Sequence, residues 1–178
     1  MRGQLLVAGP GLVDPNFWRT VVLIAEHTEE GAMGVVLNRP SETSIGEAVP
    51  QLVGVSDPDE LIHVGGPVQP SAIVVLAEFD DPAQAATVVL DDVGFVAVGT
   101  ELEDVAEHTR RARVFAGHSG WGPGQLDAEI ETGDWIVVEA EHEDAFSDEP
   151  GELWRTVLER KGGQYALLAR MPLDPSMN

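Results

Sequence analysis

Apolar residues fall in short runs of four to eight, separated by Gly, Pro and acidic turns. This spacing predicts strands joined by tight connections rather than long helices. Leu5–Ala8 reads as a buried first strand and β-branched Thr20–His27 as a central one. Ala32–Leu37 returns after the turn at residues 28–31, which makes a hairpin that Pro40 ends. Between the first two strands, Asp14–Arg19 reads as a helical turn with Asp14 as N-cap and Pro15 at the first position.

Downstream, residues 44–49 form a short helix, and strands Leu61–Val64 and Ile73–Leu76 flank Gly65-Gly66-Pro67. Thr87–Leu90 and Phe95–Val98 pair around a turn at residues 91–94. Thr100 and Glu103 compose a capping box for a helix running to about Arg110. Residues 113–116 form a strand, and 117–124, with four Gly and one Pro, a constrained loop. A short helix over 126–130 and a strand over 135–138 follow. Residues 141–152 carry six acids in twelve and read as a solvated segment. A helix over 153–160 stops at Gly162-Gly163, and 165–169 adds a last turn. Hairpins with intervening helices describe an α+β protein, one domain over residues 1–178 with a mixed sheet.

Charge narrows the function classes. Ten Lys+Arg against 31 Asp+Glu give a net charge of −21, which opposes direct contact with nucleic acid or an anionic membrane. The absence of cysteine excludes disulfides, thiolate metal sites and a cysteine nucleophile. The chain shows no transmembrane run, and the apolar stretch that stops at Gly9-Pro10 reads as a strand of a cytoplasmic protein rather than a signal peptide.

The chemistry-bearing motifs are sparse. Gly117-His118-Ser119-Gly120-Trp121 approaches a nucleophile elbow, but the fifth position is Trp and adjacent His and Ser side chains diverge. A structural turn is the simpler reading. The histidines at 27, 63, 108, 118 and 142 lack zinc-site spacing, so no metal and no cofactor is expected. Arg110, Arg111 and Arg113 form a basic cluster, and the first two would sit at a helix C-terminus, where cations offset the helix dipole.

Several segments together resemble the YqgE/AlgH family of bacterial proteins. They are residues 3–8, Asp14-Pro15-Asn16-Phe17, Arg19–Val22, Glu26-His27, Gly31–Pro40, Gly65–Val68, Gly120–Leu126, Glu129-Ile130, Trp135, Trp154 and the tail 172–178. The resemblance implies a single compact α+β domain with a mixed, barrel-like sheet and flanking short helices. It supplies no established activity; one branch is linked to regulation of alginate production, hence a label of transcriptional regulator. Leu76-Ala77 and Gly117-His118 depart from the family's usual Leu-His and Gly-Tyr.

The expectation is therefore a non-enzymatic, cytoplasmic regulatory protein acting through a protein partner or small ligand, with no catalytic residues assigned. His27, Asn38, Arg39, His118, Ser119 and Gln125 are the candidate ligand- or partner-binding residues, some of them lining one cleft. The alternative is a hydrolase using His118 and Ser119.

Overall fold

Every residue of β1 (Gln4–Ala8) after Gln4 is buried, because the strand lies between two layers. Leu5 and Val7 face one core while Leu6 and Ala8 face another, the alternation a strand imposes. This explains why the segment reads as an unbroken apolar run. The description rests on a computed structural model and covers residues 1–172.

The chain continues through β2 (Val21–Thr28), β3 (Gly31–Val36), β4 (Pro40–Ser44), α1 (Ile45–Ala48), β5 (Leu61–Val64), β6 (Val68–Phe79), β7 (Thr87–Leu90) and β8 (Val93–Phe95). Then come α2 (Leu102–His108), β9 (Thr109–Trp121), α3 (Gln125–Glu131), β10 (Trp135–Glu139), α4 (Leu153–Lys161) and α5 (Gln164–Leu168). The strand order is β10-β1-β2-β3-β9-β6-β8-β7, with β4 paired to β5 and β5 running parallel to β9. All other pairings are antiparallel, so the α+β fold has a mixed sheet.

The sheet curls without closing. Val89, Val93 and Phe95 from the β7–β8 end share a core with Leu5, Leu23 and Phe115, yet no ladder joins β7 to β10. It is barrel-like in curvature and open in hydrogen bonding. Leu153, Trp154, Val157 and Leu158 of α4 pack into that core, each side chain worth roughly 1.5–3 kcal/mol of burial. The Trp154 indole N–H donates to the Ala8 carbonyl at 3.0 Å, and Gly162 (φ 79°) ends the helix.

Several elements differ from the sequence expectations. Residues 117–121 are strand rather than loop, since β9 runs unbroken to Trp121. Gly117 (φ 74°) serves close packing, since a Cβ there would crowd the Gly66 carbonyl. By contrast, residues 14–19 do form a helical turn: the Asp14 carbonyl accepts from the N–H groups of Phe17 and Trp18, and its carboxylate caps the Asn16 N–H at 2.8 Å. α2 begins at Leu102 and lacks the capping box, because the Thr100 hydroxyl donates back to the Ala97 carbonyl at 2.9 Å.

Arg110 and Arg111 accordingly lie in β9, not at a helix end. The strand expected over 95–98 is Val93–Phe95. Within the acidic segment, Asp144, Ala145 and Phe146 are buried, since Arg160 pairs with Asp144 at 2.7 Å. The tail motif beyond Pro172 lies outside the described residues. Among the described residues no helix is long and apolar enough to cross a membrane.

Candidate functional site

The turn before β2 and the first turn of α4 face each other across a cleft of about 320 Å³. Its working lining is Trp18, Arg19, Asn38, Arg39, Trp154 and Arg155. Three of the chain's ten basic residues therefore meet in one place on a protein of net charge −21. Arg19 sits in the left-handed region at φ 52°, a conformation costly for a residue with a Cβ.

Its backbone is clasped by Asn38, whose Nδ2 donates to the Arg19 carbonyl (2.9 Å) while Oδ1 accepts from the Val21 N–H (2.9 Å). The Arg19 guanidinium lies 4.5 Å from the Trp154 ring centroid and 5.3 Å from that of Trp18. It donates to the carbonyls of Met171 and Pro172. Arg39 donates to the carbonyls of Pro15 (3.0 Å) and Trp18 (2.7 Å).

These acceptors orient the two guanidinium groups but carry no formal charge. Among the described residues neither Arg19 nor Arg39 makes a salt bridge, and Arg155 has only Glu152 at 3.5 Å. Burial, then the nearby charge of Arg155, lowers the Arg19 pKa from its ordinary value. The cleft is thus a set of oriented donors whose positive charge exceeds the negative charge among the described residues around it, suited to an anion.

The six sequence candidates sort into three places. Asn38 and Arg39 line the cleft. His27 and Gln125 lie around α3, where His27 Nε2 is 3.5 Å from Asp127 Oδ1. Gln125 accepts from the Gly122 N–H and donates to Glu129. Glu129 Oε2 in turn accepts from the indole N–H groups of Trp121 (2.8 Å) and Trp135 (3.0 Å). The rings of Phe17, Trp121 and Trp135 pack there at centroid distances of 5.6–6.2 Å, so this place is a braced aromatic cluster.

His118 and Ser119 are neighbours in β9. Ser119 is fully buried and its hydroxyl donates to the Gly65 carbonyl at 3.1 Å. That position is the opposite of the exposed serine an elbow presents.

Arg110 and Arg111 are committed to carboxylates. Arg110 bonds Glu78 (2.6 Å), Asp80 (2.9 Å) and Asp92, while Arg111 bonds Glu78 (2.7 Å) and Glu143 (2.6 Å). His142 joins them through Asp92 at 2.8 Å. Burial opposes its charge, but Asp92, Glu78 and Glu143 outweigh that and raise its pKa. Glu78, Asp92 and His142 could converge on a metal ion, but both Glu78 oxygens are already engaged by arginine.

Sequence reasoning did not single out Trp18, Arg19, Trp154 or Arg155 as one site. Arg19 and Arg155 lie far apart in sequence, and no local spacing signals their meeting. It also missed His63, buried on β5 with Nε2 lacking any hydrogen-bond partner and with its pKa lowered to about 4 by burial and the charge of Arg113.

Comparison with known proteins adds the lineage. The sequence profile described as AlgH-like matches residues 5–166. A UPF0301 protein of Streptomyces coelicolor is 40% identical, over 100% of this chain and 95% of its own length. A UPF0301 protein of Thermobifida fusca is 41% identical over 100% and 96%. Among solved structures, a Corynebacterium diphtheriae protein superposes with a TM-score of 0.86 at 30% identity, covering 94% of this chain and 90% of that one. The AlgH protein from Pseudomonas aeruginosa gives 0.73 at 30% identity, covering 97% and 95%.

Proposed function

The chain belongs to the AlgH-like family, and on that premise we propose that it is a non-enzymatic regulatory protein of the cytoplasm that binds an anion in the Arg19–Arg39–Arg155 cleft. The anion is a small ligand or an acidic group of a protein partner. The observation that carries this reading is the gathering of three arginines, two without a carboxylate partner among the described residues, in a strongly acidic molecule. Opposite charge attracts the ligand locally, while the negative remainder repels nucleic acid and anionic membranes.

Isothermal titration of the full chain with small carboxylates and oxyanions at low ionic strength tests it. Binding that weakens at least tenfold in Arg39→Ala, with the fold intact by circular dichroism, is the expected result. Absence of binding to every anion at millimolar concentration, or undiminished binding in both Arg39→Ala and Arg155→Ala, rejects the cleft.

A further inference from the structure

Resting on that reading, we infer that the cleft takes a phosphate monoester of a small molecule in preference to a carboxylate. The first reason is charge. The three guanidinium charges of Arg19, Arg39 and Arg155 stand against the single carboxylate of Glu152, which leaves a net of two positive charges among the lining residues. A phosphate monoester carries about −1.5 to −2 at neutral pH, whereas a carboxylate carries −1. Only the former balances the cleft.

The second reason is donor geometry. The bonds to Arg39 involve Nη1 and Nη2 once each, on Pro15 and Trp18. A guanidinium has five N–H donors, so three remain on Arg39 beyond those bonds. The Arg155 side chain is half exposed, and its Nη1 faces Glu152 at a loose 3.5 Å. The planar forks come from three separate elements, the segment before β2, the segment after β3 and the start of α4. Such an arrangement suits the three tetrahedrally placed oxygens of a phosphoryl group better than the two coplanar ones of a carboxylate.

The third reason concerns pre-organisation. Arg19 is held by ring contacts with Trp154 and Trp18, by two carbonyls, and through its own carbonyl by Asn38. Little side-chain freedom remains to be lost when an anion arrives. The space of about 320 Å³ is at the small end of ligand sites, and the half-exposed Trp18 ring offers an apolar wall to the organic part.

The test titrates the full chain with phenyl phosphate, benzoate and sulfate at pH 7.5 and again at pH 5.5. Phenyl phosphate is expected to bind at least tenfold tighter than benzoate at pH 7.5. It should lose several-fold at pH 5.5, where its second ionisation (pKa about 6) is reversed, while sulfate, doubly charged at both values, stays level. In Arg155→Met, an exposed substitution that spares the core, the advantage of phenyl phosphate over benzoate should collapse. Equal or tighter binding of benzoate overturns the phosphate assignment and leaves the anion cleft standing. No binding of any of the three overturns both.

Discussion

The side-chain amide of Asn38 grips the main chain of Arg19 at 2.9 Å, holding it in a left-handed conformation that a residue with a Cβ does not adopt without support. The same amide accepts from Val21, so one side chain joins the turn before β2 to the end of the β2–β3 hairpin. Asn38, a candidate for ligand contact, acts through the shape it gives the cleft.

That role has a measurable cost. Asn38→Ala leaves the Val21 N–H and the Arg19 carbonyl without their partner, and an unsatisfied buried group costs about 1–3 kcal/mol. A loss of about 2 kcal/mol in urea unfolding is expected, with anion affinity falling as well. An unchanged midpoint would show that the clasp contributes nothing.

Glu129 braces the aromatic cluster by accepting from two indoles. Glu129→Ala should destabilise by about 2–3 kcal/mol, because two partly buried N–H donors lose their acceptor together. Tryptophan fluorescence should change along with stability. Glu129→Gln, which keeps one carbonyl oxygen, should fall between. Identical behaviour of the two variants would contradict the bracing role.

Gly66 (φ 152°) lies against β9 so closely that a Cβ would overlap the His118 carbonyl. Gly66→Ala is expected to yield misfolded or insoluble protein, since the obstacle is backbone and cannot rotate away. Ser119→Ala, one step along, should cost only about 1 kcal/mol for the lost bond to Gly65. A soluble, fully stable Gly66→Ala protein would be incompatible with the packing of this crossing.

His63 sets a pH dependence. Its folded pKa is about 4 against an ordinary 6.5, so between those values the unfolded chain binds the extra proton. The stability associated with neutral His63 is fully present above pH 6.5 and is lost as pH falls toward 4, by about 3 kcal/mol. His142 acts in the opposite sense: with a raised folded pKa it stabilises below its unfolded value, and that contribution fades as pH rises through the folded one. Urea midpoints from pH 7.5 to 4.5 should fall less steeply in His63→Phe than in the unmodified chain. Parallel curves would remove His63 as the cause.

The strand ladder was legible because its causes are local. Leu61–Val64 and Thr87–Leu90 appear where β-branched runs and turn residues place them, and Ser44 caps α1 through the Glu47 N–H. The misreading of residues 117–121 has a different cause. Residues 117–121 carry turn-type glycines, yet β3 and β6 supply strand partners on both sides, and ladder hydrogen bonds outweigh a weak local preference. Gly117 is there so that its backbone and that of Gly66 can approach.

The candidate site divides in the same way. Asn38 and Arg39 were visible as polar residues at the end of an apolar run. Arg19, Trp154 and Arg155 became partners only when α4 buried Leu153, Val157 and Leu158 and thereby brought its first turn opposite the segment before β2. Likewise Arg110 reads as a helix-end cation until β9 pairs with β6 and sets it beside Glu78. The amino-acid sequence by itself determined most of the strand runs, the surplus of negative charge and the supply of arginines. Tertiary structure decided which arginines are neutralised and which are left to face a cleft, because opposite charges meet only where burial of distant apolar residues brings them together.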